Sequence, residues 1–243
     1  MKTETYRVAK AWNATHDVRA YRLVPENGAA MVGYKPGQFV MLHLPPLEAG
    51  KPDERRAYSI SSAPHESELE LTIKIHGNFT QRVNREVVHD ARVGVSGPFG
   101  VFCPDFSKEQ FITMIAGGVG IAPFMSYIRH ATHYKLPNKL TLLYSNKTFK
   151  DTIYYHELQE LEKKNPNLMV MFTITREEPP SDWRWKKSRF TTEEIVSHST
   201  GGLNNTHFYV CGSTEMCNAM TKQLQEAGVP RDRTKQELFG NIQ

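Results

Sequence analysis

The chain has 243 residues and a formal charge of +4, with 39% hydrophobic and 23% charged residues. That length suits two domains of roughly 100–150 residues, and the composition is that of a folded, non-disordered protein. So small a charge gives no support for nucleic-acid binding, and no apolar run approaches membrane-spanning length.

Met1–Thr5 lacks the apolar core of a signal peptide, so a cytoplasmic, non-integral protein is expected. Cys103, Cys211 and Cys217 are too few and scattered for a disulfide framework or an all-cysteine iron–sulfur cluster. The ten histidines show no HExxH or paired Cys/His spacing, so no metal site is expected.

Residues 5–100 alternate short extended runs with turn signals: Tyr6–Val8, Val18–Leu23, Gln38–Leu44 and Leu69–Ile75. This pattern predicts a small antiparallel barrel or sandwich, with one short helix over Phe79–His89. Within it, Arg56-Ala57-Tyr58-Ser59 reads as a strand whose alternate side chains, Arg56 and Tyr58, address one ligand. Arginine can bind phosphate, tyrosine can pack on an aromatic ring, and Ser59 can hydrogen-bond a ring heteroatom. A bland edge strand is the competing reading.

The boundary is expected in Pro104–Lys108, dividing the chain into 1–104 and 105–243. From Phe111 the pattern becomes strand, helix, strand, helix. Strands are predicted over Phe111–Ala116, Lys139–Ser145, Leu168–Thr175 and Thr206–Cys211, and helices over Pro123–Thr132, Thr152–Lys164, Thr192–Ser197 and Thr214–Ala227. Buried strands alternating with amphipathic helices predict a mostly parallel sheet covered on both faces.

The run Gly117-Gly118-Val119-Gly120-Ile121-Ala122-Pro123 joins the first of these strands to its helix. Clustered glycines let the backbone approach a pyrophosphate, and the helix N-terminus favours its charge. The spacing is not G-x-G-x-x-G, and a ligand-free turn is the competing reading.

Taken in order, these motifs resemble the ferredoxin–NADP reductase family, which also includes cytochrome b5 reductases and the reductase parts of several oxygenases. Arg56–Ser59 matches the flavin motif R-x-Y-S, and Lys74-Ile75-His76-Gly77-Asn78-Phe79-Thr80 resembles the following strand and glycine turn. Gly97-Pro98-Phe99-Gly100 resembles the end of the flavin domain. Gly117–Pro123 matches the nicotinamide-domain glycine motif, and Cys211-Gly212-Ser213-Thr214-Glu215-Met216 resembles its C-G-x-x-x-M segment.

The resemblance implies a six-stranded antiparallel flavin barrel followed by a five-stranded parallel nucleotide domain. It implies FAD bound by Arg56, Ala57, Tyr58 and Ser59, with Ile73, Lys74 and Ile75 along its edge and Gly77, Phe79 and Thr80 near its phosphates. The nicotinamide nucleotide would take Gly117, Gly118, Val119, Gly120, Ile121, Pro123, Gly212 and Met216, with Cys211 beside the nicotinamide. Ser59, Cys211 and Glu237 are the candidate catalytic residues, and Phe239 of the acidic-x-aromatic terminus would lie near the flavin. A packed core thiol at Cys211 and a solvent-facing or helix-packing Glu237 are the competing readings.

Thr175 and Arg176, just beyond a predicted strand, suit the 2′-phosphate of NADPH, with Arg184, Lys186, Lys187 and Arg189 adding positive potential. NADH is the alternative, because Glu177 and Glu178 could accept from ribose hydroxyls and Pro179–Trp183 has some likeness to the loop of NADH-using cytochrome b5 reductases. The expected protein is a monomer that passes electrons from NADPH through FAD to a ferredoxin, flavodoxin or other redox protein. A noncatalytic flavin-binding subunit or nucleotide sensor is the further alternative. Arg19, Arg22, Lys74 and Arg82 are candidates for a basic patch that steers an acidic partner.

Overall fold

A computed structural model describes residues 2–26, 33–48, 50–178 and 186–239. Its first half contains β1 (Glu4–Asn13), β2 (Val18–Pro25), β3 (Phe39–Leu44), β4 (Glu54–Ser59), β5 (Leu69–Lys74), α1 (Asn78–Glu86) and β6 (Arg92–Phe99). The six strands are antiparallel in the order β4-β3-β6-β1-β2-β5, and a bridge between Ile60 and Leu71 closes β4 onto β5. Alternating residues such as Val8, Leu23, Leu42, Leu69, Leu71 and Ile73 fill the barrel. Phe79, Val83 and Val87 from α1 and its end join the same core.

The second half contains β7 (Phe111–Gly117), α2 (Ala122–His133), β8 (Lys139–Asn146), α3 (Tyr155–Lys164), β9 (Leu168–Ile174) and β10 (Lys186–Lys187). It continues with α4 (Thr192–His198), α5 (Gly202–Asn205), β11 (Thr206–Gly212), α6 (Thr214–Glu226) and β12 (Thr234–Leu238). All pairs are parallel, in the order β10-β9-β8-β7-β11-β12. Five longer strands form the expected sheet, and two-residue β10 extends its edge.

Strand alternation sends neighbouring side chains to opposite faces. Met114 and Leu142 therefore pack with Phe124, Ile128 and Leu158 of α2 and α3. Ile115 and Leu143 pack with Ile195 of α4 and Leu224 of α6.

Two elements depart from their predicted form. The helix expected from Thr152 begins at Tyr155, because a 3-10 turn over Phe149–Asp151 and a left-handed Tyr154 (φ 60°) precede it. Charge-rich β12 carries no strand pattern of its own and is ordered by pairing with β11. Among the described residues, no helix is long and apolar enough to cross a membrane.

Candidate functional site

A continuous cleft of about 1880 Å³ lies between the barrel and the parallel sheet. Strand β4 supplies one wall, where Arg56, Ala57, Tyr58 and Ser59 all line the space. The Arg56 guanidinium sits 5.3 Å from the centre of the Phe79 ring, and its Nη1 donates to Arg55 O at 2.8 Å. Burial pushes the Tyr58 hydroxyl well above its ordinary pKa, so it stays protonated.

Gly77, Phe79 and Thr80 continue this wall at the start of α1. The Thr80 hydroxyl closes the turn instead of standing free: it accepts from His76 N at 2.7 Å and donates to His76 O at 2.7 Å. No side chain caps α1, and its first turn carries no acid, so backbone N–H groups there suit an anion. Of the neighbouring residues, Lys74 reaches the cleft, while Ile73 is buried in the barrel and Ile75 packs against that core. Lys74 is paired with Asp17 at 2.8 Å.

The opposite wall is the β7–α2 connection. Gly117, Gly118, Val119 and Ala122 border the cleft, whereas Gly120, Ile121 and Pro123 are buried behind them. A Cβ on Gly120 would stand 2.3 Å from Cys211 O, and Met216 Sδ lies 2.2 Å from the corresponding Cβ position at Gly117. The Tyr144 hydroxyl donates to Gly118 O at 2.9 Å and braces the turn.

Gly212, Ser213 and Met216 also line the cleft, but fully buried Cys211 does not. Burial first, then the neighbouring Glu237 carboxylate and Cys217, push its thiol well above the ordinary range. Cys211 is therefore a protonated thiol packed behind Gly212, among the sheet and α2 core residues.

The two walls meet at Ser59, whose hydroxyl donates to Glu237 Oε1 at 2.6 Å across the domains. Burial raises the Glu237 pKa, and the Ser59 bond partly opposes that rise. Leu238 and Phe239 border the same region, and Phe239 N donates to Gly212 O at 2.9 Å.

At the far end of the cleft, Thr175 and Arg176 line the space together with Lys147 and Arg189. Thr175 Oγ1 donates to Asn146 O at 3.1 Å, and Arg176 N donates to Lys147 O at 2.8 Å. The two adjacent acids are turned to protein partners: Glu177 accepts from Phe149 N, and Glu178 pairs with Lys187. Arg184, Pro179–Trp183 and Gly240–Gln243 lie outside the described residues.

Sequence reasoning missed His16, Asp17 and Asp151, which gather at the cleft with Nδ1 of His16 3.6 Å from Asp151. They come from the β1–β2 turn and the turn before α3, so only the domain packing joins them. Three of the four residues proposed for a basic patch are paired with carboxylates. Arg22 pairs with Glu68 and Glu70, Lys74 with Asp17, and Arg82 with Glu54 and Glu86, while Arg19 bonds Asn84.

These walls fit a dinucleotide flavin and a nicotinamide nucleotide. One offers a cation, an aromatic ring and uncapped helix amides; the other offers a glycine turn at a helix start. Residues 5–103 match the oxidoreductase FAD-binding domain, and residues 114–222 match the oxidoreductase NAD-binding domain.

The chain belongs to the ferredoxin–NADP reductase family. The chain is similar to flavohemoprotein A of Dictyostelium discoideum, at 26% identity over 99% of this chain and 61% of that protein. NADH-cytochrome b5 reductase 1 of the same organism is 27% identical, over 92% of this chain and 77% of its own. The chain spans about six tenths of the length of the flavohemoprotein relative. The FAD/NAD-binding domain of nitric oxide dioxygenase from Vibrio cholerae superposes with a TM-score of 0.88 at 23% identity, covering 99% of this chain and all of that one. The chain thus carries an oxidoreductase FAD-binding domain followed by an oxidoreductase NAD-binding domain.

Proposed function

We propose that this reductase takes hydride from NADPH onto FAD and delivers single electrons to a separate ferredoxin, flavodoxin or other redox protein. The observation that carries the nucleotide preference is the division of labour at the end of β9. Arg176 lines the cleft, while Glu177 and Glu178 spend their carboxylates on Phe149 N and Lys187. A ribose 2′-phosphate would meet a cation there, and a bare 2′-hydroxyl would find neither acid presented to it.

Bound FAD supplies the conversion between two-electron and one-electron transfer. Residues of the chain do the placing. The Gly117–Val119 backbone admits a pyrophosphate, and Gly212 offers a flat approach in front of Cys211. Ser59 holds its hydroxyl proton toward Glu237 Oε1, a part-buried proton site on the cleft wall. Cys211 contributes packing behind the nicotinamide position.

Rapid-mixing absorbance with NADPH and with NADH tests this reading. Flavin bleaching is expected with both and faster with NADPH, and Arg176→Ala should shift the NADPH/NADH rate ratio by roughly tenfold or more. A clear preference for NADH, or an unchanged ratio in Arg176→Ala, rejects the NADPH assignment and favours an NADH-dependent reductase component. No bleaching with either nucleotide favours a noncatalytic flavoprotein.

Arg56→Ala is expected to weaken FAD retention by about 10–100-fold, because a lost charged hydrogen bond costs roughly 1.5–3 kcal/mol. Flavin released by denaturation and quantified by chromatography after dialysis measures that loss. Equal FAD content in variant and parent at limiting flavin would remove Arg56 from the site.

A further inference from the structure

A buried polar network joins the two domains. Arg129 of α2 is 6% exposed, and Glu70 of β5 is fully buried. Arg129 Nη1 donates to Glu70 Oε1 and to Ser61 O, each at 2.9 Å. Its Nε and Nη2 form a two-pronged pair with Glu157 of α3 at 2.7 and 2.9 Å. Tyr154 donates to Glu70 Oε1 at 2.8 Å, leaving its own oxygen to accept from Thr72 Oγ1. The Arg129 guanidinium also lies 5.3 Å from the centre of the Tyr154 ring.

The position of this network on the two cofactor walls is informative. Thr72 and Ile153, the neighbour of Tyr154, both line the cleft. Arg129 lies two turns along the helix that opens at the glycine turn, about 10 Å from Ala122 at a rise of 1.5 Å per residue. The network therefore grips the FAD wall through β5 and the nucleotide wall through α2 and α3.

We propose that Arg129 and Tyr154 are positioning residues, an interdomain clamp that sets the approach of the nicotinamide to the flavin without touching either cofactor. The proposal rests on the reductase reading of the cleft. Hydride transfer demands reacting atoms roughly 3–3.5 Å apart, and a displacement of about 1 Å can cost on the order of 100-fold in rate. A two-pronged guanidinium pair fixes angle as well as distance, whereas a lysine at the same point would fix charge alone. The left-handed backbone of Tyr154 aims its hydroxyl between Glu70 and Thr72, one residue before α3.

The test uses full-length FAD-loaded protein and two variants, Arg129→Lys and Tyr154→Phe. The second keeps the aromatic ring and all charges and removes one hydroxyl, so it decides the matter if Arg129→Lys fails to fold. The transfer rate is read by rapid mixing at saturating levels of the faster nucleotide. FAD content and NADP+ affinity are measured on the same preparations. A transfer rate lowered at least fivefold in Tyr154→Phe, with FAD content and NADP+ affinity within twofold of the parent, supports the clamp.

A smaller rate change, or a loss confined to flavin retention or nucleotide affinity, overturns it. The parent protein run alongside separates the two ideas. Absence of reduction in the parent overturns the reductase reading and the clamp together, whereas normal transfer in Tyr154→Phe beside a competent parent overturns the clamp alone.

Discussion

Gly120→Ala is expected to destabilise the nucleotide domain by about 3 kcal/mol and to abolish tight nicotinamide nucleotide binding. The added methyl would sit 2.3 Å from Cys211 O and 2.6 Å from its carbonyl carbon. Both are backbone atoms of β11, which is paired on both sides with β7 and β12, so no rotamer change relieves the clash; the α2 start and the strand must separate. Gly118→Ala provides the control. Gly118 has a φ of 53° with open space around its Cβ position, so alanine there should cost only about 1–2 kcal/mol of backbone strain. Urea unfolding midpoints of the two variants test the contrast. Equal midpoints would show that the turn moves freely and that close packing against β11 does not hold it.

Arg129→Met is expected to cost about 3–5 kcal/mol near pH 7, because it removes one of the two cations from the fully buried Glu70 carboxylate and leaves Arg22 as its ion-pair partner. The pH dependence separates this cause from simple loss of packing. In the parent, burial pushes the Glu70 pKa up, but Arg129 and the bonds from Tyr154 and Arg22 outweigh it and hold the group below 4.5. A lowered folded pKa adds stability that is present above the unfolded value and lost as pH falls through the folded one.

Without Arg129, burial dominates, the folded pKa rises, and the folded state takes up a proton more readily than the unfolded chain. Stability from this site then falls as pH rises through the window above 4.5. The gap between parent and variant should accordingly narrow as pH drops from 7 toward 4. Denaturant titrations at several pH values measure it; a constant gap would mean that Arg22 and Tyr154 hold Glu70 ionised without Arg129. Arg22, Glu66 and Glu157 also face the Arg129–Glu70 pair, and Glu70→Gln in the Arg129→Met background isolates the Glu70 contribution.

Much of the site was legible because its chemistry is local in sequence. Arg56 and Tyr58 share a face by strand alternation, and Gly117–Val119 reach the cleft because they end one strand and start one helix. Met216 was named through the resemblance of Cys211–Met216 to the family's C-G-x-x-x-M segment, and it lines the cleft. What the local pattern does not specify is depth. Gly120, Ile121 and Pro123 share the motif yet lie behind it, and Cys211 is sealed in the core while Gly212 borders the cleft.

Strand β5 shows how the domain contact overrides local pattern. Alternation makes Leu69, Leu71 and Ile73 the barrel-facing set and leaves Glu70 and Thr72 for solvent. In the fold Glu70 and Thr72 are buried as well, because α2 and the Tyr154 turn bring an arginine and a tyrosine hydroxyl to that outer face. Their partners lie between 59 and 84 residues away, with no spacing rule to announce them. The same logic applies to Glu237, which bonds Ser59, 178 residues earlier.

By itself, the amino-acid sequence determined the two-domain architecture and the presence of FAD-binding and NAD-binding domains, because hydrophobic period, glycine turns and strand alternation act over a few residues. Only the tertiary structure decided which motif residues face the cleft, which charges are already spent and how the domains are gripped. Those outcomes depend on burial and on hydrogen-bond geometry between distant segments. A carboxylate such as Glu70 acquires its energetic meaning when Arg129 arrives beside it in a place that water cannot reach.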